Sequence, residues 1–330
     1  MPSRNRHVIA VVVLVPALAA LALWAFAWPA SRIAPRDLPL GVAGPPAAAA
    51  QVERQLERHE GAFEIHRYAD EAAARDAIED RSVYGAVVVT PQGPELLTAS
   101  AAGPVVAQFL QRAVGQQAAA QGTQVKTVDV VATPASDPRG AVLNAAALPL
   151  ALAGIAMGAV VTLLGLRGTR AVIALVGASA LVGVIAAGIA HSWLGALSGD
   201  WWTEASVLGL SALAVGGAVA GLAALIGPAG TGVGAAVVML IGNPFSGATS
   251  APQMLPEPAG AIGQWLPPGA GATLLRSVSY FDGAAAAGPA LTLAWWAALG
   301  LGAVLLGSSL RGRKAGSSPA AEQRELSAVA

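Results

Sequence analysis

The stretch NPFSGATSAPQMLPEPAGAIGQWLPPGAGATLLRSVSYF, residues 243–281, is too apolar for a surface loop and too rich in proline and glycine for an uninterrupted membrane helix. Asn243-Pro244 ends the helix that precedes it, because proline lacks a backbone donor and restricts the residue before it. Broken backbone at membrane depth is tolerated only where protein or a water-filled cavity satisfies the freed polar groups. The stretch is therefore expected to fold back against neighbouring helices. Within it, PEPAGAIGQWL and PPGAGATLLRSVSYF each read as a short helix opened by proline. Arg276 and Tyr280 share one face of the second, with Leu275 and Phe281 available to anchor apolar surface. The alternative is an exposed loop.

The rest of the chain supports a membrane setting. It has 330 residues, 55% hydrophobic and 12% charged, with a mean hydropathy of +0.60, outside the usual range for a water-soluble chain of this length. Of 38 charged residues, 23 fall between Ala30 and Gly140, 10 basic and 13 acidic. One segment is water-soluble and the remainder mostly is not. Zero formal charge gives no reason to expect nucleic acid as a partner. The absence of cysteine removes disulfides, thiolate chemistry and Cys-ligated metals together.

The first apolar run, Val8 to Pro29, has about the 20 residues needed to cross a hydrocarbon core and follows Arg4 and Arg6. A cleaved signal peptide is the rival reading, since Ala25-Phe26-Ala27 fits a cleavage site, although the run exceeds the usual apolar region of about 7 to 15 residues. Further apolar segments lie near 141–166, 171–194, 204–226, 231–242 and 288–310. Arg4 and Arg6, Arg167 and Arg170, and Arg311, Arg313 and Lys314 fall on one side of six spans, and Asp200, Glu204, Glu257 and Asp282 on the other. Both termini are then cytoplasmic. GxxxG spacings at Gly154/Gly158, Gly217/Gly221 and Gly230/Gly234 would allow close helix approach in lipid, or arise by chance among 39 glycines.

Between Leu38 and Pro134 the pattern becomes β-α-β-α-β-β-α-β. LPLGVAG, FEIHRY, YGAVVVT, ELLTAS and VKTVDVVA read as strands, and Pro46 to His59, Asp70 to Asp80 and Pro104 to Ala120 as helices. Asp70 is an N-cap candidate and Pro104 suits a first turn. ERQLERHE reads as the wet face of an amphipathic helix, with Val52 and Leu56 facing inward. The fold class expected is an α-helical polytopic membrane protein with six transmembrane helices and an extracytoplasmic α/β domain between the first and second. The divisions are a cytoplasmic 1–6, a transmembrane helix over 7–29, the α/β domain over 30–140, a five-helix transmembrane domain over 141–311 with a re-entrant outer region at 243–287, and a flexible cytoplasmic tail over 312–330.

Several chemistries lack their residues. Lys126 and Lys314 are the two lysines, and neither completes a phosphate-binding loop. Span interiors carry essentially no ionisable residue of the kind that ion-driven carriers bury, which disfavours a self-powered pump. His191 reads as interfacial or satisfied, and Glu204 as a helix N-terminal cap. His59 and His66 have no metal-ligand spacing, and no serine sits in a G-x-S-x-G elbow. Neither enzymatic activity nor a cofactor is expected.

The order N-P-x-S-G, P-x-x-L-P, L-P-P and L-R-x-x-x-Y-F is carried by Asn243, Pro244, Ser246, Gly247, Pro252, Leu255, Pro256, Leu266, Pro267, Leu275, Arg276, Tyr280 and Phe281. It resembles the outer re-entrant region of type-2 ABC transporter permeases, in particular the phage infection protein (YhgE/Pip-like) branch. The resemblance implies an integral component of an export system, dimeric, powered by a separate cytoplasmic ATPase, with cargo passing between the two copies. Such permeases usually offer the ATPase an amphipathic N-terminal helix and a substantial loop between the second and third spans. Here six residues precede His7 and only RGTR joins those spans. Arg167 and Arg170 are candidate contacts for a cytoplasmic partner, or topology determinants. The outer region is expected to act as a gate carrying Arg276 at the membrane surface, moving a hydrophobic or amphiphilic compound. The alternative is a non-transporting envelope protein, phage-receptor-like or a scaffold, whose α/β domain binds a partner.

Overall fold

The computed structural model describes residues 2–58, 60–120 and 122–316; His59 and residues 317–330 of the expected tail lie outside them. Helix α1, Pro2–Ser31, contains the apolar segment Val8–Ser31. The chain then builds β1 (Leu38–Ala43), α2 (Pro46–Leu56), β2 (Phe63–Tyr68), α3 (Glu71–Glu79), β3 (Gly85–Thr90), β4 (Gly93–Thr98), α4 (Pro104–Ala120) and β5 (Lys126–Asp129). Strand order is β2-β1-β3-β4-β5, parallel except for the β3–β4 hairpin.

Alternation along the strands gives the sheet two buried faces. Leu38 and Leu40 of β1, Val87 of β3 and Leu96 of β4 point one way, with Val106 and Leu110 of α4. Ala43, Ala86, Val88 and Leu97 point the other way, against Ala74, Ala77 and Ile78 of α3. Each fully buried leucine is worth about 1.5–3 kcal/mol relative to exposure. Asp70 caps α3 by accepting from the Ala73 amide at 2.9 Å, and Pro104 occupies the first turn of α4. Val52 and Leu56 of α2 face inward as expected. Glu53 does not lie on a wet face: it is buried and paired with Arg67 of β2.

The remaining helices are α5 (Ala141–Leu163), α6 (Gly168–Ala187), α7 (Trp201–Ile226), α8 (Pro228–Ala236), α9 (Ala259–Gln264), α10 (Pro267–Tyr280) and α11 (Ala287–Gly316). Helices α6 and α8 each end in a π-helical turn, Gly188–Trp193 and Val237–Gly242. Helix α7 is the hub, with 61% of its most apolar window buried against 6% for α1. The glycine pairs explain how its neighbours come so close. A methyl group at Gly154 or Gly158 of α5 would lie 2.7 Å from Val215 or from the Gly216 carbonyl of α7, and one at Gly221 would lie 2.7 Å from the Gly300 carbonyl of α11. Gly230 of α8 leaves no room for a side chain against Leu222. All three spacings are therefore contact surfaces.

The sequence reading expects six spans, with the fifth short at 231–242. Among the described residues five helices have the length and apolarity to cross a membrane, and the segment expected as the fifth span belongs to the shorter apolar helix Pro228–Gly242. Its 15 residues rise only about 22 Å, against a hydrocarbon core of about 30 Å. At its end Gly242 meets Pro268, at the start of α10. Helix α10 then runs back along the first part of α7, with Gly271 against Ser211 and Ser279 beside Gly199. Another piece of chain thus packs where the short fifth helix ends. Helix α11 also continues to Gly316, into the stretch expected to be a flexible tail.

Candidate functional site

The segment between Asn243 and Phe281 is a closely bonded knot of backbone. The Asn243 amide donates to Val238 at 2.8 Å, which closes the π-helical turn, and Pro244 follows. The Ser246 hydroxyl donates to the Asn243 carbonyl at 2.8 Å and accepts from the Ala248 amide at 3.2 Å. Gly247 adopts φ +66°, a left-handed conformation suited to glycine, and a side chain there would meet Pro252 at 2.8 Å. Pro256 is buried, and its carbonyl accepts from Ala259 at 2.8 Å as α9 begins. Gly263 of α9 packs directly on the Phe245 carbonyl. Gln264 donates to the Ser246 carbonyl at 2.9 Å and accepts from Thr273 at 2.7 Å, tying α9 to both sides. Pro267 occupies the first turn of α10, where its missing amide costs no helical bond.

Arg276 is 4% exposed, and its Nη2 donates to the Ala248 carbonyl at 3.0 Å. The Tyr280 hydroxyl donates to the Ala196 carbonyl at 2.6 Å, beyond the end of α6. Phe281 is buried in the core formed by α3 and the sheet, with Ala77, Ile78 and Val88. On the opposite face of that sheet, Ala251 and Met254 join Leu38, Leu40 and Leu96. One segment thus holds the sheet from both faces. The Ala34 amide donates to the Met254 carbonyl at 3.1 Å, and the Tyr84 hydroxyl to Gln253 at 2.9 Å. Trp28 of α1 meets the Phe245 ring edge-on at 6.1 Å.

Arg81 is the sheet segment's main polar contribution to this contact. It adopts φ +60° just after α3, and its Nη1 donates to the Thr273 carbonyl at 3.1 Å and to the Ser277 hydroxyl. Burial pulls its pKa down to about 10, which still leaves it charged at neutral pH. Burial also raises the Tyr84 phenol above its ordinary value. Among the described residues neither Arg81 nor Arg276 forms an ion pair with a carboxylate. Their charges rest on carbonyls, hydroxyls and a ring.

A second polar cluster lies at the same end of the bundle. Glu204 is fully buried; its Oε2 accepts from His191 Nδ1 at 2.7 Å and its Oε1 from the Gly199 amide at 2.9 Å. His191 is thus satisfied, as expected. Glu204 is not the helix cap: Asp200 takes that role, accepting from the Thr203 amide at 2.8 Å. Both ionisable groups sit at helix ends, His191 in the last turn before the loop and Glu204 in the first turn after it. The pair joins the π-helical turn of α6 to the first turn of α7, a juxtaposition that no fixed sequence spacing announces. Its one readable signal was a carboxylate and an imidazole flanking the same short loop.

Arg167 and Arg170 are exposed in and after the α5–α6 turn. The 23 residues of α5 place them about 35 Å from the sheet end of the bundle. The structure thus groups Asn243, Pro244, Ser246, Gly247, Pro256, Pro267, Arg276, Tyr280 and Phe281 in one segment and sets the two arginines at the far end.

A family model described as ABC-2 family transporter protein matches residues 6–308. No curated protein and no solved structure matches the chain.

Proposed function

The chain belongs to the ABC-2 transporter family, as a multi-pass membrane permease subunit, and we propose that it exports a hydrophobic or amphiphilic compound, driven by a separate cytoplasmic ATPase. The observation that carries this reading is the short fifth helix, with α10 packed where it ends. A non-helical stretch at membrane depth is kept where it lines a path or is enclosed by protein. In this reading the chain crosses six times by counting that composite crossing, and both termini are cytoplasmic. The sheet is extracytoplasmic, residues 243–287 form the outer gate, and two copies enclose the path. The motifs from Asn243 to Phe281 support the phage infection protein branch of the family. Arg167 and Arg170, exposed at the far end of the bundle, face the ATPase.

The second reading is an envelope-binding or scaffold protein. It is favoured by the short RGTR connection between the second and third spans, which offers an ATPase little surface. Purification in mild detergent distinguishes the two. A stoichiometric ATPase that hydrolyses ATP in the complex supports the exporter. Its reproducible absence from folded, monodisperse protein would favour the envelope role.

A further inference from the structure

The sheet face that carries Leu40 and Val87 is covered by α2 and α4, and between those helices the cover is incomplete. A cavity of about 640 Å³ opens there, within the range of roughly 300–1,000 Å³ that small-molecule ligands fill. Helix α2 turns Ala48, Val52 and Leu56 toward it, and α4 turns Phe109, Ala113 and Val114, spacings that place each set on one helix face. Phe63 and Val125 complete the apolar wall, and like Val52, Leu56, Phe109 and Val114 they are only partly buried. Protein interiors normally close to crystal-like density, with few voids larger than a water molecule. Large apolar side chains around an open space are the exception that ligand sites make.

Two further observations specify the occupant. Among the described residues lining the cavity, only Gln51, Gln55, Glu60 and Gln117 are polar, and none is a lysine or arginine. Ala34 and Pro35 also line it, and the apolar segment of α1 ends at Ser31. The four steps of chain from Ser31 to Pro35 span no more than about 14 Å. The cavity therefore opens beside the place where an apolar helix leaves its apolar surroundings.

We propose that this cavity binds the alkyl chain of an amphiphile with an uncharged polar head. The apolar walls take the chain, and the amides of Gln51, Gln55 and Gln117 offer hydrogen bonds to the head. A wall without cations gives an anionic head no partner. This assignment goes beyond the permease reading and does not depend on an ATPase, so its test requires no transport.

Full-length protein in lipid nanodiscs would be irradiated with a monopalmitoylglycerol whose chain carries a diazirine, and the crosslinks mapped by mass spectrometry. The expected result is labelling of α2 and α4 that excess unlabelled monopalmitoylglycerol competes away. Ala113→Trp and, from the other wall, Ala48→Trp fill the cavity. Displacing even two methylenes, at about 0.8 kcal/mol each, lowers affinity about tenfold, so labelling of α2 and α4 falls by that order while labelling of the apolar helices is unchanged. Labelling confined to the apolar helices, labelling of α2 and α4 that does not saturate, or labelling that survives in both variants overturns the assignment. The competition arm uses the unmodified chain and stands even where a tryptophan variant fails to fold.

Discussion

The Arg81 guanidinium carbon lies 5.1 Å from the centre of the Phe281 ring, and the two residues come from opposite sides of the boundary between the sheet and the helices. Phe281 is buried among side chains of α3 and the sheet, so it reaches across that boundary as a plug. Truncating a buried phenylalanine costs about 3–5 kcal/mol, whereas a cation over a ring contributes about 0.5–2 kcal/mol. Phe281→Ala should therefore lower the thermal midpoint in detergent far more than Phe281→Leu. It should also expose the sheet segment to limited proteolysis before the helices. If Phe281→Ala melts with the unmodified protein, Phe281 does not anchor the sheet.

Glu204 is a fully buried carboxylate held by two half-buried donors, His191 and the Gly199 amide, and a hydrogen bond to a charged group contributes about 1.5–3 kcal/mol. Glu204→Ala is expected to destabilise by about 2–4 kcal/mol through loss of both bonds. Glu204→Gln keeps an acceptor for the Gly199 amide and should cost less. In a double-mutant cycle with His191→Ala, strong non-additivity is the expected signature of the pair. Additive losses would show that the 2.7 Å contact is energetically idle.

Gly263 and Gly177 give a matched contrast. A methyl group at Gly263 collides with the Phe245 carbonyl, and one at Gly177, on an exposed face of α6, meets nothing. Gly263→Ala should abolish the monodisperse peak in size-exclusion chromatography. Gly177→Ala should leave it intact and gain about 0.5–1 kcal/mol of helix propensity. A well-folded Gly263→Ala would mean that α9 does not sit on Phe245 as described.

Arg276 joins α10 to the loop at Ala248 through a charge-assisted bond worth about 1.5–3 kcal/mol. If residues 243–287 form the outer gate as proposed, Arg276→Ala inserts in the membrane and loses most export, because α10 and the Ala248 loop are no longer tied. Arg276→Lys keeps the charge but not the planar fork of donors, and should fall between. Normal efflux by a stably inserted Arg276→Ala protein removes this residue from the mechanism.

The sheet segment was legible in the sequence because local signals agree there: period-2 strands, the Asp70 cap and the proline at the start of α4. The break at Asn243-Pro244 was legible for the same reason. The shortness of the fifth helix was legible too, since its apolar run covers only 231–242 before the break, whereas hydropathy does not register which segment packs beside its end. The burial of Arg276 was not legible, because its carbonyl partner, Ala248, is a tertiary neighbour. Glu204 was taken for a cap because its position near a helix start is readable, whereas its bond to His191 depends on how a loop returns the chain. The cavity between α2 and α4 left no trace either, since inward-facing Val52 and Leu56 look the same whether they meet a neighbour or a space.

The central position of α7 bears on how anything could cross. Its Gly216 and Gly221 admit α5 and α11 to backbone contact, and Gly230 of α8 meets its Leu222, so three neighbours lean on one central helix. With backbone on backbone at each seam, no side chain is left to give way, so one of these helices can shift only if α7 shifts with it.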